Sequence, residues 1–328
     1  MNKRRFLQAA GGAAAALFAP HASWAADAYP DRPIRMLVPF QPGSTPDIWA
    51  RALGSALTAR LGQPMVVENM PGAGGSIGAS ALKRATPDGH TLGLFANTQA
   101  ITVHTFRTPP YDLAVDFVAI SMLGGGASLL TVPASSPIRT AQDLIAALKA
   151  KPGGMAYGSG GNGSIAHLAV EQLLRDTGTT ALHVPYKGAP DIVSSQLSGQ
   201  TQFGMPILGT ALTFVNNGKL RALAITSDKR SPSLPEVPTL AEALPPGFSL
   251  NSWSGVFAPA RTPAPIVDRL SREIGAILRS GAMDELVKTM GSELRPDGSP
   301  AEFQNFVIAE DKRFGDLIRT IGLKVDGR

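Results

Sequence analysis

The chain has no cysteine in 328 residues. That excludes disulfides, a thiol nucleophile and a membrane anchor attached through a lipidated cysteine. Aromatic residues are scarce at 6%, and charged residues reach only 17%. No Lys/Arg run is interleaved with the few aromatics, so a nucleic-acid surface is not expected. His90, His104, His167 and His183 show no metal-ligand spacing. No pair of acids stands out for acid–base chemistry, so neither a metal nor a cofactor is expected. Beyond the N-terminus, no apolar run approaches the ~20 residues of a transmembrane helix. Glycine (35) and proline (27) are plentiful instead, and they fall between periodic segments. This pattern describes a folded chain with many tight corners.

The first residues read MNKRRFLQAAGGAAAALFAPHASWA. Lys3, Arg4 and Arg5 precede a short alanine-rich apolar stretch, and Ser23 and Ala25 place small residues at −3 and −1 of a cleavage site. Residues 1–25 are expected to be a secretory signal, cleaved after Ala25. The run from Lys3 to Gln8 resembles a twin-arginine motif with Lys in its first Arg position, and a Sec signal reads the same way. Both export routes stay open. Removing this segment lowers the formal net charge from +5 to +2. The mature chain is therefore nearly balanced, and a soluble periplasmic monomer is expected.

About 300 mature residues suffice for two lobes. Strands are expected at Ile34–Val38, Met65–Glu68, Thr91–Phe95 and Phe117–Leu123, with helices at Thr45–Gly62 and Ile77–Arg84 between them. After Gly124-Gly125-Gly126 a second series begins. Its strands are Leu129–Val132, Met155–Tyr157, Leu182–Val184, Gln202–Met205 and Ala222–Thr226. Its helices are Thr140–Ala150, Ile165–Asp176 and Ile192–Leu197. A proline-rich break from Ser231 to Gly247 leads to a last strand, Asn251–Phe257. Helices follow at Ala264–Arg279, Met283–Met290 and Pro300–Ile321. Alternating strands and helices imply two α/β lobes, each a mostly parallel sheet flanked by helices. Residues 26–126 and 251–328 are assigned to lobe 1 and residues 127–250 to lobe 2, with crossings near Gly124–Ser128 and Ser249–Trp253.

Four strand-to-helix corners share a glycine-rich composition: Pro42–Thr45, Gly72–Ser76, Gly158–Ser164 and Lys187–Ala189. Each offers free backbone N–H groups at a helix start, where anions are favoured. Glycine at such a junction is also ordinary turn chemistry, so a single corner says little. Gly158-x-Gly160-x-x-Gly163 matches a dinucleotide fingerprint, but the next strand ends Val184-Pro185-Tyr186-Lys187 with no carboxylate for a ribose. Gly74-Gly75-Ser76-Ile77-Gly78 matches a nucleophile elbow, yet nothing positions an acid and a histidine behind it. Ser76 reads better as a helix cap. Asp47 suits the first turn of a helix without any ligand. Lys187 reads equally as a cation over a ligand or a solvated lysine, and Trp253 reads as packing.

Taken together, "YPDRPIRMLVPFQPGSTPDIWARAL", "VVENMPGAGGSIGASALKRATPDGHTL", "YGSGGNGSIAHLAVEQL", "HVPYKGAPDIVSSQLSGQ" and "LRALAITSDKRSPSLPEVPTLAEA" resemble the Bug family of periplasmic solute-binding receptors of tripartite tricarboxylate transporters. The resemblance runs from about Tyr29 to the C-terminus. It implies a two-lobe Venus-flytrap that closes on a small organic carboxylate and hands it to membrane subunits. It places a ligand carboxylate against the first-lobe loops, at Phe40, Pro42, Gly43, Ser44, Thr45 and Asp47, and at Gly72, Ala73, Gly74 and Gly75. Thr98 and Gln99 stand where the family carries a small polar residue after the third strand. Gly160, Gly163, Ser164, His167, Lys187 and Gly188 would form the second-lobe wall. The chain departs from the family at Pro42-Gly43-Ser44, where Pro-Gly-Gly is usual, and at Ala100-Ile101-Thr102-Val103, where Ala-Ile-Asn-Pro is frequent. It also lacks the family's acids in Thr201–Pro206, which argues against an amino-acid ligand. The expected activity is binding, not catalysis. A sensor feeding a signalling partner, or a serine hydrolase using Ser76, are the alternatives.

Overall fold

The computed structural model describes residues 29–244, 248–290 and 292–322. The expected signal segment lies outside these residues. Among the described residues, eleven strands form two sheets.

In the first sheet, β1 (Ile34–Val38) is flanked by β2 (Met65–Asn69) and β3 (Thr91–Ala96), both parallel to it. β10 (Ser252–Pro259) then inserts antiparallel between β3 and β4 (Phe117–Gly126), and the short β11 (Glu293–Leu294) closes the far edge. The order is β11-β4-β10-β3-β1-β2. β1 reads Ile-Arg-Met-Leu-Val and is buried at every position but Arg35, as expected of a strand covered on both faces.

The second sheet runs β7-β6-β8-β5-β9. Here β6 (Ala156–Ser159) pairs parallel with β7 (Leu182–Pro185) and β8 (Phe203–Gly204), while β5 (Leu129–Pro133) runs antiparallel to β8 and β9 (Leu220–Ile225). Parallel pairing holds where a helix carries the chain back across the sheet. The strands next to the two passages between the sheets enter antiparallel. The chain leaves the first sheet at Gly126, enters the second at Leu129, and returns after Ile225 to reach Ser252.

The helices explain themselves from local sequence. In α1 (Thr45–Leu61) the extended Ser44 precedes Pro46 in the first turn, and Gly62 ends the helix in a left-handed cap bonded to Thr58. Its stripe of Trp49, Leu53, Leu57 and Leu61 is buried in the apolar cluster that also holds Met36 and Leu94. Truncating Leu53 to Ala would cost ~2–5 kcal/mol. α2 (Ser76–Lys83) follows a 3-10 turn at Ala73–Gly75, and α3 (Asn97–Thr102) leads into another at Val103–Thr105. α4 (Ala141–Ala150) starts on a reciprocal box in which Asp143 N–H donates to Thr140 Oγ1 (3.0 Å) and Thr140 N–H to Asp143 Oδ2 (3.0 Å).

α5 (Ile165–Thr177) and α6 (Ala189–Leu197) cross the second sheet, and α7 (Leu208–Asn216) and α8 (Leu240–Ala243) complete it. α9 (Ala264–Arg279) and α10 (Asp284–Thr289) return to the first sheet. α11 (Pro300–Ile321) starts on a Ser299–Glu302 box and packs on β4, on α3 and on α5. The apolar packing is therefore continuous between the sheets, with Ile101, Phe314 and Leu168 in one cluster. Trp253 is buried within it, with Phe303 and Phe306 edge-on.

Candidate functional site

The first corner is fixed by a buried acid. Asp47 is 2% exposed, and its carboxylate accepts Gly43 N–H (2.8 Å), Arg51 Nε–H (3.1 Å) and the Asn69 side-chain amide (2.9 Å). The same Asn69 amide also donates to the Phe40 carbonyl at 3.2 Å. Burial acts to raise the Asp47 pKa, but the bonds from Arg51, Gly43 and Asn69 outweigh it and hold the carboxyl below its ordinary range. Asp47 thus ties Phe40, Gly43 and the end of β2 into one rigid turn. Gly43 sits at φ +79°, where glycine is favoured. Pro42 and Gly43 are exposed at its tip, with Ser44 and Thr45 half-buried.

The second corner packs on α3. Gly74 and Gly75 have φ +63° and +85°, and a Cβ on either would overlap a neighbour: Thr102 for Gly74, Gln99 for Gly75. Gly72, Ala73 and Gly74 are exposed. Gly75 is the residue that caps α2, so Ser76 is the first helical residue and makes no side-chain cap. The expected capping role of Ser76 is thereby corrected. Gln99 is fully buried; its Oε1 accepts Ala96 N–H (2.9 Å) and its carbonyl accepts the Tyr111 hydroxyl (2.8 Å). Its Nε2, the Asn97 Nδ2 and the Ser44 Oγ are buried without a hydrogen-bond partner among the described residues. Buried donors in native proteins nearly always have a partner, so three around one pair of corners mark a place where an acceptor is wanted.

The second-lobe corners adjoin each other and face α3. A Cβ on Gly160 would lie 3.6 Å from the Gly188 Cα, and one on Gly163 would lie 3.6 Å from Ile101 and 3.7 Å from Thr105. Ser164 caps α5 by accepting His167 N–H (3.3 Å), and Lys187 is exposed beside Gly188. The segment Asn97–Thr105 is therefore the meeting point, with Gly74 and Gly75 on one side and Gly163 on the other. Thr98, on the same segment, is half-buried. His167 differs from the rest of the wall. It is buried, and it reaches the corner by accepting Gly163 N–H at Nδ1 (3.1 Å).

Sequence reasoning missed Asn69, Asn97, Ser159 and His183. An asparagine ending the half-buried edge strand β2 was the available signal for the first. The Ser159–His183 contact, Oγ to Nε2 at 2.6 Å, joins residues 24 apart on neighbouring strands and has no sequence signature. It looks like a nucleophile–base pair, but Ser159 is fully buried and its Oγ is also bonded to Gly161 N–H (3.1 Å). Ser76 has no histidine partner among the described residues. A cavity of about 660 Å³ lies elsewhere, at the passages between the sheets, lined by Gly126, Ser252, Trp253, Arg230, Glu310 and Arg313 among others. None of the ligand-contacting residues expected from the sequence lines it; the expected crossings between the lobes do. No helix among the described residues is long and apolar enough to cross a membrane.

Two α/β lobes joined by two passages, with glycine corners facing one another and donors in surplus, define a binding protein of the periplasmic type. The chain matches the model of the Tripartite tricarboxylate transporter family receptor over residues 49–323, and it belongs to that family. It is 36% identical to Protein BugT of Bordetella pertussis over 329 residues, covering 99% of this chain and all of that one. Among solved structures it is similar to R. palustris Rpa4515 with adipate, with a TM-score of 0.82 and 32% identity over 90% of this chain and 99% of that one. It is also similar to MatC from Rhodopseudomonas palustris with bound malate, with a TM-score of 0.80 and 29% identity over 88% and 100% of the chains.

Proposed function

We propose that this receptor binds a small organic carboxylate between its lobes in the periplasm and passes it, untransformed, to the membrane subunits of a tripartite tricarboxylate transporter. The observation that carries this reading is the set of unpartnered buried donors, Gln99 Nε2, Asn97 Nδ2 and Ser44 Oγ, beside exposed glycine corners. Donors without acceptors suit a carboxylate and not a cation. Preordered backbone groups also lose little side-chain entropy when the ligand arrives. The relatives with adipate and malate support a carboxylate of this size.

The ligand side chain is proposed to meet Gly160, Gly163, Ser164, Lys187 and Gly188 as the lobes close about the passages at Gly126–Leu129 and Leu250–Ser252. The segment Thr201–Pro206 holds no acid to receive an ammonium group, so an α-amino acid is disfavoured. Native mass spectrometry of the purified protein, followed by a thermal-shift panel of mono-, di- and aromatic carboxylates, tests the reading. A shift with at least one dicarboxylate is expected. Stabilisation by none of the acids overturns the carboxylate assignment, and micromolar affinity for aspartate or glutamate overturns the exclusion of amino acids. Co-purification with transporter subunits is expected; capture of a sensor ectodomain instead would transfer the receptor to signalling.

A further inference from the structure

Behind the Gly160–Gly163 corner lies a buried cluster that ligand contact does not explain. The imidazoles of His167 and His183 stack face to face, with centroids 3.9 Å apart and planes 8° from parallel. Tyr157 stacks on His183 at 5.0 Å, and its hydroxyl donates to Glu171. Each histidine holds one residue of the corner. His167 Nδ1 accepts Gly163 N–H, so its proton must sit on Nε2, on the side of Glu171 at 3.9 Å. His183 Nε2 contacts Ser159 Oγ at 2.6 Å, and that oxygen accepts Gly161 N–H at 3.1 Å. Two anchors of one ligand corner therefore sit on a stacked imidazole pair, and the Gly163 anchor requires His167 Nδ1 to stay unprotonated.

We propose that His167 and His183 are positioning residues of the ligand site: as a stacked pair they fix the Gly160–Gly163 corner, and proton uptake on His167 Nδ1 releases it. The inference rests on the carboxylate-receptor reading for its consequence, loss of bound anion in acid. A proton arriving on His167 Nδ1 converts that atom from acceptor to donor, and it then confronts Gly163 N–H. A proton on His183 Nε2 leaves the Ser159 hydroxyl free to donate to the Gly161 carbonyl (3.2 Å), so His183 acts through the stack and not through that bond. Either charge also lies against the face of the other ring.

The groups around the pair do not neutralise such a charge. β6 contributes Tyr157 and Ser159, α5 contributes Glu171, and β8 contributes Phe203. α3 carries no charge, and on α11 Asp311 is engaged by His104 (3.0 Å) and Glu310 by Arg313 (2.8 Å). Glu171 is the single nearby acid, and it is shared with Tyr157. Burial, with the neighbouring His183, accordingly pushes His167 down to about 3, and burial lowers His183 as well.

The sign follows from linkage. A released corner exposes imidazoles that protonate near 6.5, whereas the fixed corner holds them neutral. The fixed state is fully favoured above 6.5 and loses ground as pH falls below it. Between pH 7 and 5.5 the fixed-to-released ratio should fall about eightfold as His167 is freed.

The test is amide hydrogen exchange of the ligand-free full chain by NMR at pH 7 and 5.5, corrected for the intrinsic exchange rate. The protection of Gly163 is expected to fall about eightfold, while that of Leu37 in β1 stays constant. In the double variant His167→Asn, His183→Gln, whose amide oxygens keep both acceptors but cannot take a proton, the Gly163 fall should vanish. Protection of Gly163 that is flat in the wild type, a fall matched at Leu37, or a fall that persists in the folded double variant would each overturn the proposal. The wild-type profile decides the matter even if the variant fails to fold. Adipate and malate titrations at pH 7.5 separate this from the functional reading. Failure of both acids leaves the amide result standing, and binding with a flat Gly163 profile sinks the histidine pair alone.

Discussion

The substitution Asp47→Asn isolates what a buried acid contributes to a ligand corner. Asn is nearly isosteric but keeps one acceptor oxygen, whereas Asp47 serves three donors: Gly43 N–H, Arg51 and Asn69. The Arg51 side chain is 53% exposed, so that pair contributes no more than ~0.5 kcal/mol. The bonds to Gly43 and Asn69 are partly buried and charge-assisted, worth ~1.5–3 kcal/mol each. The new amide must face one of those two donors with a donor of its own. The expected cost is about 2–4 kcal/mol, including ~0.3–1 kcal/mol from the lost charge at the start of α1.

The Gly43 bond acts locally, so its ~1.5 kcal/mol should appear as a roughly tenfold weaker affinity for whichever dicarboxylate the thermal-shift panel identifies. The rest should lower the melting temperature by roughly 1–4 °C. Calorimetric titration and thermal denaturation at pH 7.5 read both, with Arg51→Gln as a control that costs under ~1 kcal/mol. The pH profile is a second check. Because the Asp47 carboxyl is held below its ordinary 3.8, its contribution is complete above that value and is lost as pH falls through the lowered one. The gap between wild type and Asp47→Asn should stay constant from pH 8 to 5 and narrow only in stronger acid. A variant that melts and binds like the wild type, or an Arg51→Gln variant that is equally damaged, refutes the account.

Gly75→Ala forces a left-handed residue to carry a Cβ that overlaps Gln99 Nε2, so we expect at least tenfold weaker carboxylate binding by calorimetry from ~1–2 kcal/mol of strain plus the displaced amide. Gly209→Ala, on α7 and remote from the corners, would place its Cβ inside the Met290 carbonyl. That contact joins the two lobes through backbone, so small-angle scattering should show a larger radius of gyration, with affinity reduced although no site residue changes. His104 has the opposite pH sign to the stacked pair: its bond to Asp311 (3.0 Å) raises its pKa. Its stabilisation is complete below 6.5 and fades as pH rises through the raised value, so His104→Asn should cost more stability in urea denaturation at pH 6 than at pH 9.

Much of this arrangement was legible in the sequence because it is written in local chemistry. The helices Ala264–Arg279 and Pro300–Ile321 have the bounds their periodicity and caps imply. The four corners were visible as glycine-rich breaks between strand and helix. α3 was not, because Asn97–Thr102 leaves β3 without a turn residue and is too short for a 3.6-residue period to register. α7 follows Pro206 as a short apolar run, which periodicity alone cannot separate from a strand. β11 is two residues long and exists only because β4 offers it an edge. Asn97, Asn69 and the histidine stack share this character: each acquires meaning from a neighbour that the fold supplies. His167 was named as a wall residue from resemblance, and its burial shows why motif position alone cannot separate contact from support.

That separation matters for how such a receptor can change its ligand without losing its fold. The corner backbones are glycine-rich, and their Gly43, Gly161 and Gly163 N–H groups are bonded within the protein. Specificity must then come from where those groups are held, by Asp47 and Asn69 in one lobe and by Ser159, His167 and His183 in the other. The supports differ in kind. The first is an ionised carboxylate whose bonds strengthen its charge, so it is indifferent to pH across the neutral range. The second is a stacked imidazole pair in which the bond from Gly163 N–H requires His167 to stay uncharged. A two-lobe receptor with one fixed jaw and one acid-sensitive jaw would capture at neutral pH and release by loosening a single side of the cleft. The anion would then remain against the Asp47 corner while the other lobe opens.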